Sequence, residues 1–311
     1  MVLDPPLARP LVGRLSIIGI GLIGSSILRA AKERRLADRL IAYDGSEQVR
    51  ARARALGLAD SVAATPAEAV KDADIVILCV PVGAMGAVAE AIAPHVKPGA
   101  IVSDVGSVKG AVLNALRTHL PSGVHVIPGH PVAGTEYSGP DAGFATLFKN
   151  RWSILTPPEG ADERAVATLA GLWSAMGANV ETMTPEHHDL VLAITSHVPH
   201  LIAYNIVGTA ADLEKVTQSE VIKYSAGGFR DFTRIAASDP TMWRDVFLNN
   251  REAVIEVLGR FTEDLIALQR AIRWEQGEAL FDLFTRTRAI RRSIIEIGQE
   301  TDAPDFGRAH D

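Results

Sequence analysis

The stretch RLSIIGIGLIGSSILRAAKERR, residues 14–35, decides the fold. It begins with a short β-branched run, passes through three glycines and continues with helical spacing. Gly19, Gly21 and Gly24 have the spacing GxGxxG. A strand, a glycine turn and a helix in this order are typical of the first unit of a dinucleotide-binding domain. We therefore predict a dinucleotide whose pyrophosphate lies at the N-terminus of this helix.

The glycines and the next strand indicate which dinucleotide binds. Gly19 is expected to make the tight turn, Gly21 to let the backbone approach the pyrophosphate, and Gly24 to let helix and sheet pack closely. Asp44 ends the next apolar run, and its carboxylate suits ribose hydroxyls but repels a 2′-phosphate, which favours NAD over NADP. Arg50 on the following helix leaves the strictness of this preference open. The predicted cofactor-binding residues are Gly19, Ile20, Gly21, Leu22, Ile23, Gly24, Asp44, Val80, Pro81 and Ser107.

The rest of the first half alternates between strand and helix patterns. ADIVILCVP (73–81) and GAIVSDVGS (99–107) read as buried parallel strands, and HVIPG and RWSILTP supply later strands. TPAE at 65–68 is a helix start signal. We predict an α/β Rossmann-type NAD-binding domain with a mainly parallel sheet over 14–183, preceded by a flexible leader at 1–13.

From residue 184 the pattern is helical. A second Thr-Pro start signal opens an apolar segment, and long amphipathic segments follow to the end of the chain. We predict no strand after about residue 183 and an all-helical domain over 184–311 that binds substrate and forms a homodimer through its broad apolar faces.

Composition restricts the class of protein. The chain has 311 residues, a net charge of −6 and one cysteine, Cys79, inside an apolar run. The acidic balance argues against nucleic-acid binding, and a lone buried cysteine suits a reducing compartment. We expect no apolar run to reach the roughly 18–20 residues that span a bilayer, and therefore a cytoplasmic protein without a membrane partner.

The stretch VIPGHPVAGTEYSG, residues 126–139, carries a histidine between glycines and prolines and is predicted to be a loop. Because ligands bind beyond the carboxyl ends of parallel strands, His130 and Ser107 are expected to meet near the nicotinamide. His130 is the candidate base, with Ser107 orienting its ring. Lys109 is interpreted as an ordinary lysine in the first turn of a helix.

The helical half adds a second group of polar residues. TSHVPH contains Ser196, His197 and His200, which we interpret as a substrate-binding wall, with Pro199 expected to interrupt the helix. HVPH lacks the HExxH pattern, so no metal site is predicted. Three arginines follow in GGFRDFTRIAASDPTMWRD, and one of them is a candidate carboxylate clamp: Arg230, Arg234 or Arg244.

Five motifs in this order, GIGLIG, SDVGSVKG, GHPVAGTEYSG, TSHVPH and GGFRDFTRIAASDPTMWRD, resemble the prephenate dehydrogenase family of tyrosine biosynthesis, which includes arogenate and cyclohexadienyl dehydrogenases. The resemblance covers roughly residues 14–300 and implies an NAD-dependent oxidative decarboxylation with His130 as base. It assigns Ser107 to hydrogen bonding with this histidine and Arg234 to a substrate carboxylate. The other substrate-site residues that it implies are Thr135, Glu136, Ser196, His197, His200, Asp231 and Trp243.

Two other functions stay open on the sequence alone. A β-hydroxyacid dehydrogenase shares the domain order but usually relies on a lysine in the helical half, for which Lys223 is a candidate whose surrounding residues do not fit. A non-catalytic NAD-binding regulator needs the glycine loop but not Ser107, His130 and Arg234 together. The choice between prephenate and arogenate as substrate is also open.

Overall fold

Six parallel strands form the sheet that the glycine stretch predicts. In a computed structural model, which describes residues 3, 5–135, 137–214 and 226–296, the strands run in the order β3-β2-β1-β4-β5-β6. The order reverses between β1 and β4, which is where such sheets bind their ligands. The strands are β1 Val12–Ile18, β2 Ala37–Tyr43, β3 Ser61–Val62, β4 Ile75–Leu78, β5 Ile101–Asp104 and β6 His125–Val126.

Helices cover both faces of this sheet, as an all-parallel sheet requires. On one face, Leu15 and Ile17 of β1 belong to a core cluster that also contains Trp173. On the other, Val76 and Leu78 of β4 belong to a second cluster. The helices of this half are α1 Leu22–Arg34, α2 Glu47–Ala55, α3 Pro66–Val70, α4 Met85–Ile92, α5 Gly110–His119 and α6 Glu163–Ala175. The predicted α/β fold class is confirmed.

The glycine turn between β1 and α1 is tight because three backbone segments meet there. Gly19 has φ +97°, and a Cβ added to it would lie 2.3 Å from the carbonyl oxygen of Cys79 in the turn after β4. A Cβ on Gly24 would lie 2.0 Å from the carbonyl oxygen of Gly19. These two positions therefore require glycine for the reasons that the sequence suggests.

A second, three-stranded sheet carries His130. Its strands are β7 Gly129–Pro131, β8 Trp152–Leu155 and β9 Asn179–Thr182, with β7 antiparallel and β9 parallel to β8. His130 lies opposite Ile154 in this register. The prediction of a loop over 126–139 is wrong for 129–131, since Pro131 is tolerated on an edge strand. The described residues of the connection 132–151 are irregular.

The described part of the chain after β9 contains helices and no strand, as predicted. The helices are α7 Pro185–Leu192, α8 Val198–Glu214, α9 Gly227–Thr233, α10 Pro240–Asn249, α11 Arg251–Arg273 and α12 Gly277–Glu296. A π-helical turn, Ala193–His197, joins α7 to α8. The expectation that Pro199 interrupts the helix is wrong, because the helical run continues through it. The wider turn directly before Pro199 accommodates a residue that has no N–H.

The run Pro185–Leu213 has 29 residues and is apolar enough, by length and composition alone, to cross a bilayer. The expectation that no segment reaches this length is therefore wrong, because it considered only unbroken runs of apolar residues. Core helices of soluble proteins pass the same test. This run buries His188, Asp189 and His197, and buried polar groups with hydrogen-bond partners are typical of a helix packed within a protein.

The domain limits stay a prediction. The chain divides into two compact units, Met1–Val254 and Ile255–Asp311, rather than at 183/184. Part of the expected flexible leader also has contacts: Leu3 is buried, and the N–H of Leu7 donates to the carbonyl of Arg34 at 3.0 Å. β1 already begins at Val12.

Gly24→Ala should lower the free energy of unfolding by about 1–3 kcal/mol, because the new methyl group overlaps the carbonyl of Gly19. The control is Gly171→Ala within α6, where an added Cβ meets open space. That change should instead stabilise the protein by about 0.5–1 kcal/mol, since alanine is the better helix former. Urea denaturation without cofactor measures both. Equal midpoints for Gly24→Ala and the wild type would contradict the close approach.

Candidate active site

The end of β2 is tied to the glycine turn by Asp44. One carboxylate oxygen accepts from the N–H of Ile20 and the other from the N–H of Ser46, both at 2.9 Å. This places the carboxylate beside the start of α1. No side chain caps that helix, and its first turn carries no acidic residue. A Cβ added to Gly21 would meet no protein atom within 4 Å. The turn thus has open space and unpaired donors for a pyrophosphate.

Arg50 is already occupied by its surroundings. It donates to the carbonyl of Asp44 at 2.6 Å and to that of Gly45 at 3.2 Å. Its guanidinium also pairs with Glu47 and lies 5.5 Å from the centre of the Tyr43 ring. An arginine with these partners is poorly placed to bind a 2′-phosphate, which favours NAD.

His130 is buried on β7 and pairs with a second histidine. Its Nδ1 lies 2.8 Å from Nε2 of His188 on α7. The Nδ1 of His188 in turn lies 2.8 Å from a carboxylate oxygen of Asp189. These three side chains form a continuous hydrogen-bonded chain, which we call the His130 relay.

Asp189 also joins α7 to the start of α5. Its carboxylate accepts from the N–H of Lys109 at 2.7 Å and from the N–H of Gly110 at 2.9 Å. It therefore caps α5 from a different helix, and the helix dipole favours its negative charge.

Lys109 forms a buried ion pair with Asp104, the last residue of β5. Its Nζ donates to that carboxylate at 2.5 Å and to the carbonyl of Gly129 at 2.6 Å, and both side chains are fully buried. Asp104 also accepts from the N–H groups of Gly106 and Gly129. The interpretation of Lys109 as an ordinary first-turn lysine is wrong. The pair holds β7, and with it His130, against the carboxyl end of β5.

The surroundings of His130 keep its imidazole neutral. Burial lowers its pKa well below the ordinary value of 6.5, and the neighbouring His188, Lys109 and His197 lower it further. A neutral imidazole can accept a proton at neutral pH, as a general base must. His130 therefore becomes protonated only at a lower pH than an ordinary histidine does.

A second group of contacting side chains lies on the π-helical turn and α8. Asn250 donates to the backbone carbonyl of Asp189 at 2.8 Å, and its Nδ2 lies 3.0 Å from Nδ1 of His197. Burial lowers the pKa of His197 to about 4. The His200 ring stacks on Trp243 with ring centres 3.6 Å apart. His197 and His200, two of the residues predicted from TSHVPH, thus contact Asn250 and Trp243 respectively.

Arg234 is exposed on a short 3-10 turn, Arg234–Ala237, near His200. Burial lowers the pKa of His200, a hydrogen bond to the Ser196 carbonyl opposes this, and the charge of Arg234 lowers it further. Arg244 instead pairs with Asp245 at 2.7 Å. Of the three candidate arginines, Arg234 is therefore the one whose charge lowers the pKa of His200.

Not every predicted residue joins these groups. Ser107 is half-buried in the turn before Lys109, where its backbone interacts with the ring of His197, but in the described part of the chain the orienting hydrogen bond to His130 comes from His188. Thr135 and Asp231 are exposed. Glu136 and Lys223 lie outside the described residues.

Sequence reasoning missed four residues of the site: Asp104, His188, Asp189 and Asn250. A local signal existed for two of them. His188 and Asp189 follow a Thr-Pro helix start and end the polar run EHHD, which directly precedes an apolar segment. Asn250 gave none, because its partners Asp189 and His197 are remote along the chain. Asp104 has a partner only five positions away in Lys109, but nothing in the sequence shows that this pair is buried.

Comparison with known proteins gives consistent matches. The family model described as the prephenate dehydrogenase nucleotide-binding domain matches residues 27–182, and the prephenate dehydrogenase dimerization domain matches 184–286. The chain is 46% identical to a cyclohexadienyl dehydrogenase of Zymomonas mobilis, over 90% of this chain and 95% of that protein. It is 34% identical to a prephenate dehydrogenase of Bacillus subtilis, over 93% of this chain and 78% of that protein.

Solved structures agree. Prephenate dehydrogenase from A. aeolicus, in complex with hydroxyphenyl propionate and NAD+, has a TM-score of 0.85 and 32% identity, covering 91% of this chain and 98% of that one. Synechocystis arogenate dehydrogenase has a TM-score of 0.77 and 28% identity, covering 90% and 99%.

Lys109→Met should lower the free energy of unfolding by about 3–5 kcal/mol, because it leaves the buried Asp104 carboxylate unpaired. The matched control is Lys97→Met, which breaks a partly exposed pair with Asp74 and should cost at most about 1 kcal/mol. Urea denaturation measures both changes. The double change Lys109→Met with Asp104→Asn should cost less than the sum of the two single changes. Similar small losses for both lysines would mean that the buried pair is not coupled.

Proposed function

The chain belongs to the prephenate dehydrogenase family, and we propose that His130 is its catalytic base. The protein is an NAD-dependent dehydrogenase of tyrosine biosynthesis. It converts prephenate to 4-hydroxyphenylpyruvate, arogenate to tyrosine, or both, by oxidation and decarboxylation.

One observation carries the role of His130. It is a buried neutral histidine, held at the carboxyl end of β5 and joined to an acidic residue through a second histidine. A base in this position can take the proton of the substrate's ring hydroxyl. Neither a regulator nor a lysine-dependent dehydrogenase needs this relay.

The reaction follows from that proton transfer. As His130 takes the hydroxyl proton, the carbon that bears the oxygen loses a hydride and becomes a carbonyl carbon. NAD, when bound, accepts this hydride. The bond to the ring carboxylate then breaks and carbon dioxide leaves. The electron pair of that bond enters the ring and displaces the carbonyl pair onto oxygen, which gives an aromatic phenolate that takes back the proton held by His130. Aromatisation drives this step, so the protein has to supply the base and the orientation.

The substrate carboxylates need local positive charge on an acidic protein. We assign this role to Arg234, supported by its influence on His200, because guanidinium binds a carboxylate in two-pronged fashion. The stacked pair of His200 and Trp243 offers a flat surface beside it. Ser107 is proposed to contact substrate or cofactor from the turn before Lys109. Further proposed lining residues are Thr135, Glu136, Ser196, His197 and Asp231.

The proposed cofactor residues follow from the turn after β1. The N–H groups at the start of α1 face the pyrophosphate, with Gly21 leaving room for it. Asp44 is proposed to bind the adenosine ribose and to reject a 2′-phosphate. Val80 and Pro81, after β4, complete the pocket, and Val80 already lies against the space above Gly19.

Dimerisation is supported by the family, whose helical domain carries that name. We propose a homodimer formed through the helical region 184–311. Among residues 255–293, whose side chains the structure describes, large apolar side chains are mostly exposed, including Trp274 at 68% and Phe281 at 70%. Exposed apolar surface of this kind is typical of an interface. A cytoplasmic location is proposed because the relatives are biosynthetic enzymes.

The first experiment is a rate matrix of NAD or NADP against prephenate or arogenate, followed by formation of the reduced cofactor. Turnover is expected with NAD, and the rates with prephenate and with arogenate then give the substrate preference.

His130→Asn should reduce kcat by at least ~10² while NAD still binds, because the general base is lost. No turnover in any combination, with NAD bound, would contradict the proposed function. Unchanged kcat in His130→Asn would remove only its assigned role.

Arg234→Gln should raise the KM for the cyclohexadienyl substrate at least ~10-fold and leave the KM for NAD unchanged, because a charge-assisted hydrogen bond is lost. The control is Arg230→Gln, an exposed arginine one turn earlier on α9. Steady-state kinetics with each substrate varied in turn separates the two constants. If both variants behave alike, the clamp is not Arg234.

A further inference from the structure

We propose that His188 and Asp189 fix the tautomer of His130, so that its Nε2 is the atom that takes the substrate proton. The inference rests on the proposed function for its effect on rate. The tautomer itself can be measured without any turnover.

The first step is the charge state of Asp189. Its carboxylate accepts two backbone N–H groups at the N-terminus of α5, from Lys109 and Gly110. These bonds and the helix dipole favour the ionised form. An ionised carboxylate has no proton to donate. The Nδ1 of His188, 2.8 Å away, is therefore the donor in their hydrogen bond.

The second step passes this constraint to the next ring. Burial lowers the pKa of His188, although Asp189 opposes the shift. With its proton on Nδ1, the neutral ring presents a lone pair at Nε2. That lone pair faces Nδ1 of His130 at 2.8 Å. Two acceptors cannot share a hydrogen bond, so Nδ1 of His130 carries its proton and Nε2 has the lone pair.

The third step concerns the proton after transfer. A protonated His130 keeps its Nδ1–H on His188, with the Asp189 carboxylate beyond it. The other charged or titratable groups facing it are Lys109, Asp104 and His197. Lys109 opposes protonation, and Asp104 pairs with Lys109. Asp189 is thus the carboxylate aligned with the new charge along the His130 relay, as an aspartate is behind a catalytic histidine.

His188 and Asp189 are positioning residues, since they act on the substrate through His130. Without them, His130 can take the opposite tautomer, with the proton on Nε2. A ring in that state donates towards the substrate hydroxyl and cannot act as its base. Ser107, predicted to orient the ring, is not required for this arrangement.

The kinetic test compares His188→Leu with His188→Gln. Leucine removes the acceptor for Nδ1–H, and kcat should fall at least ~10-fold with the KM for NAD unchanged. Glutamine keeps a carbonyl that can accept this hydrogen bond, so it should recover part of the loss. His187→Gln, at the exposed neighbouring histidine, should match the wild type. Wild-type kcat in His188→Leu would overturn the proposal.

A second measurement does not depend on catalysis. Long-range ¹H–¹⁵N spectra of protein labelled at histidine distinguish the two neutral tautomers, and His130→Asn identifies the His130 signals. The wild type should show the proton on Nδ1, and His188→Leu should shift the population towards Nε2–H. A wild-type protein with the proton on Nε2 overturns the inference, whether or not the leucine variant folds.

The two proposals fail separately. A wild type that turns over no cyclohexadienyl substrate contradicts the proposed function but leaves the tautomer result intact. An active wild type whose His130 has the wrong tautomer contradicts only the inference.

Discussion

The carboxylate of Asp189 is the group on which the arrangement of the site depends. It accepts from the N–H groups of Lys109, the N-cap residue of α5, and of Gly110, the first residue of that helix, and it also holds the ring of His188. One anion therefore fixes the distance between a helix of the parallel sheet and the first helix of the second half. It can remain charged while buried because a helix N-terminus surrounds it with donors. The helix cap and the active-site geometry are the same interaction.

Much of the fold can be predicted because its signals are local. Gly19 and Gly24 are required by backbone contacts within one turn, and Asp44 binds back to that turn. The Thr-Pro starts of α3 and α7 are capped by their threonines as the sequence indicates. Periodicity separates the sheet half from the helical half. These features depend on neighbours a few residues away or on one repeated unit.

The site was only partly predictable because its contacts join remote segments. His130 pairs with a residue 58 positions later, and Lys109 with Asp189 80 positions later. Nothing around Lys109 distinguishes a buried lysine from a surface one. The three-residue strand β7 was hidden by its glycine and proline. The sequence predicted His130 as the candidate base, which stays a prediction, and assigned its orientation to Ser107, whereas the structure places His188 against its Nδ1.

The pairing of β7 with β8 also limits how this protein can diverge. His130 lies opposite Ile154, and this register sets the face of the sheet from which its ring reaches His188. Hydrogen bonds from Val132 to Trp152 and from Thr156 to Pro128 fix the pairing beyond both ends of β7. An insertion inside β7 would turn the histidine to the other face of the sheet. Insertions between 133 and 151 leave that register untouched. The same segment, which carries Thr135, can therefore change length during evolution or redesign without displacing His130.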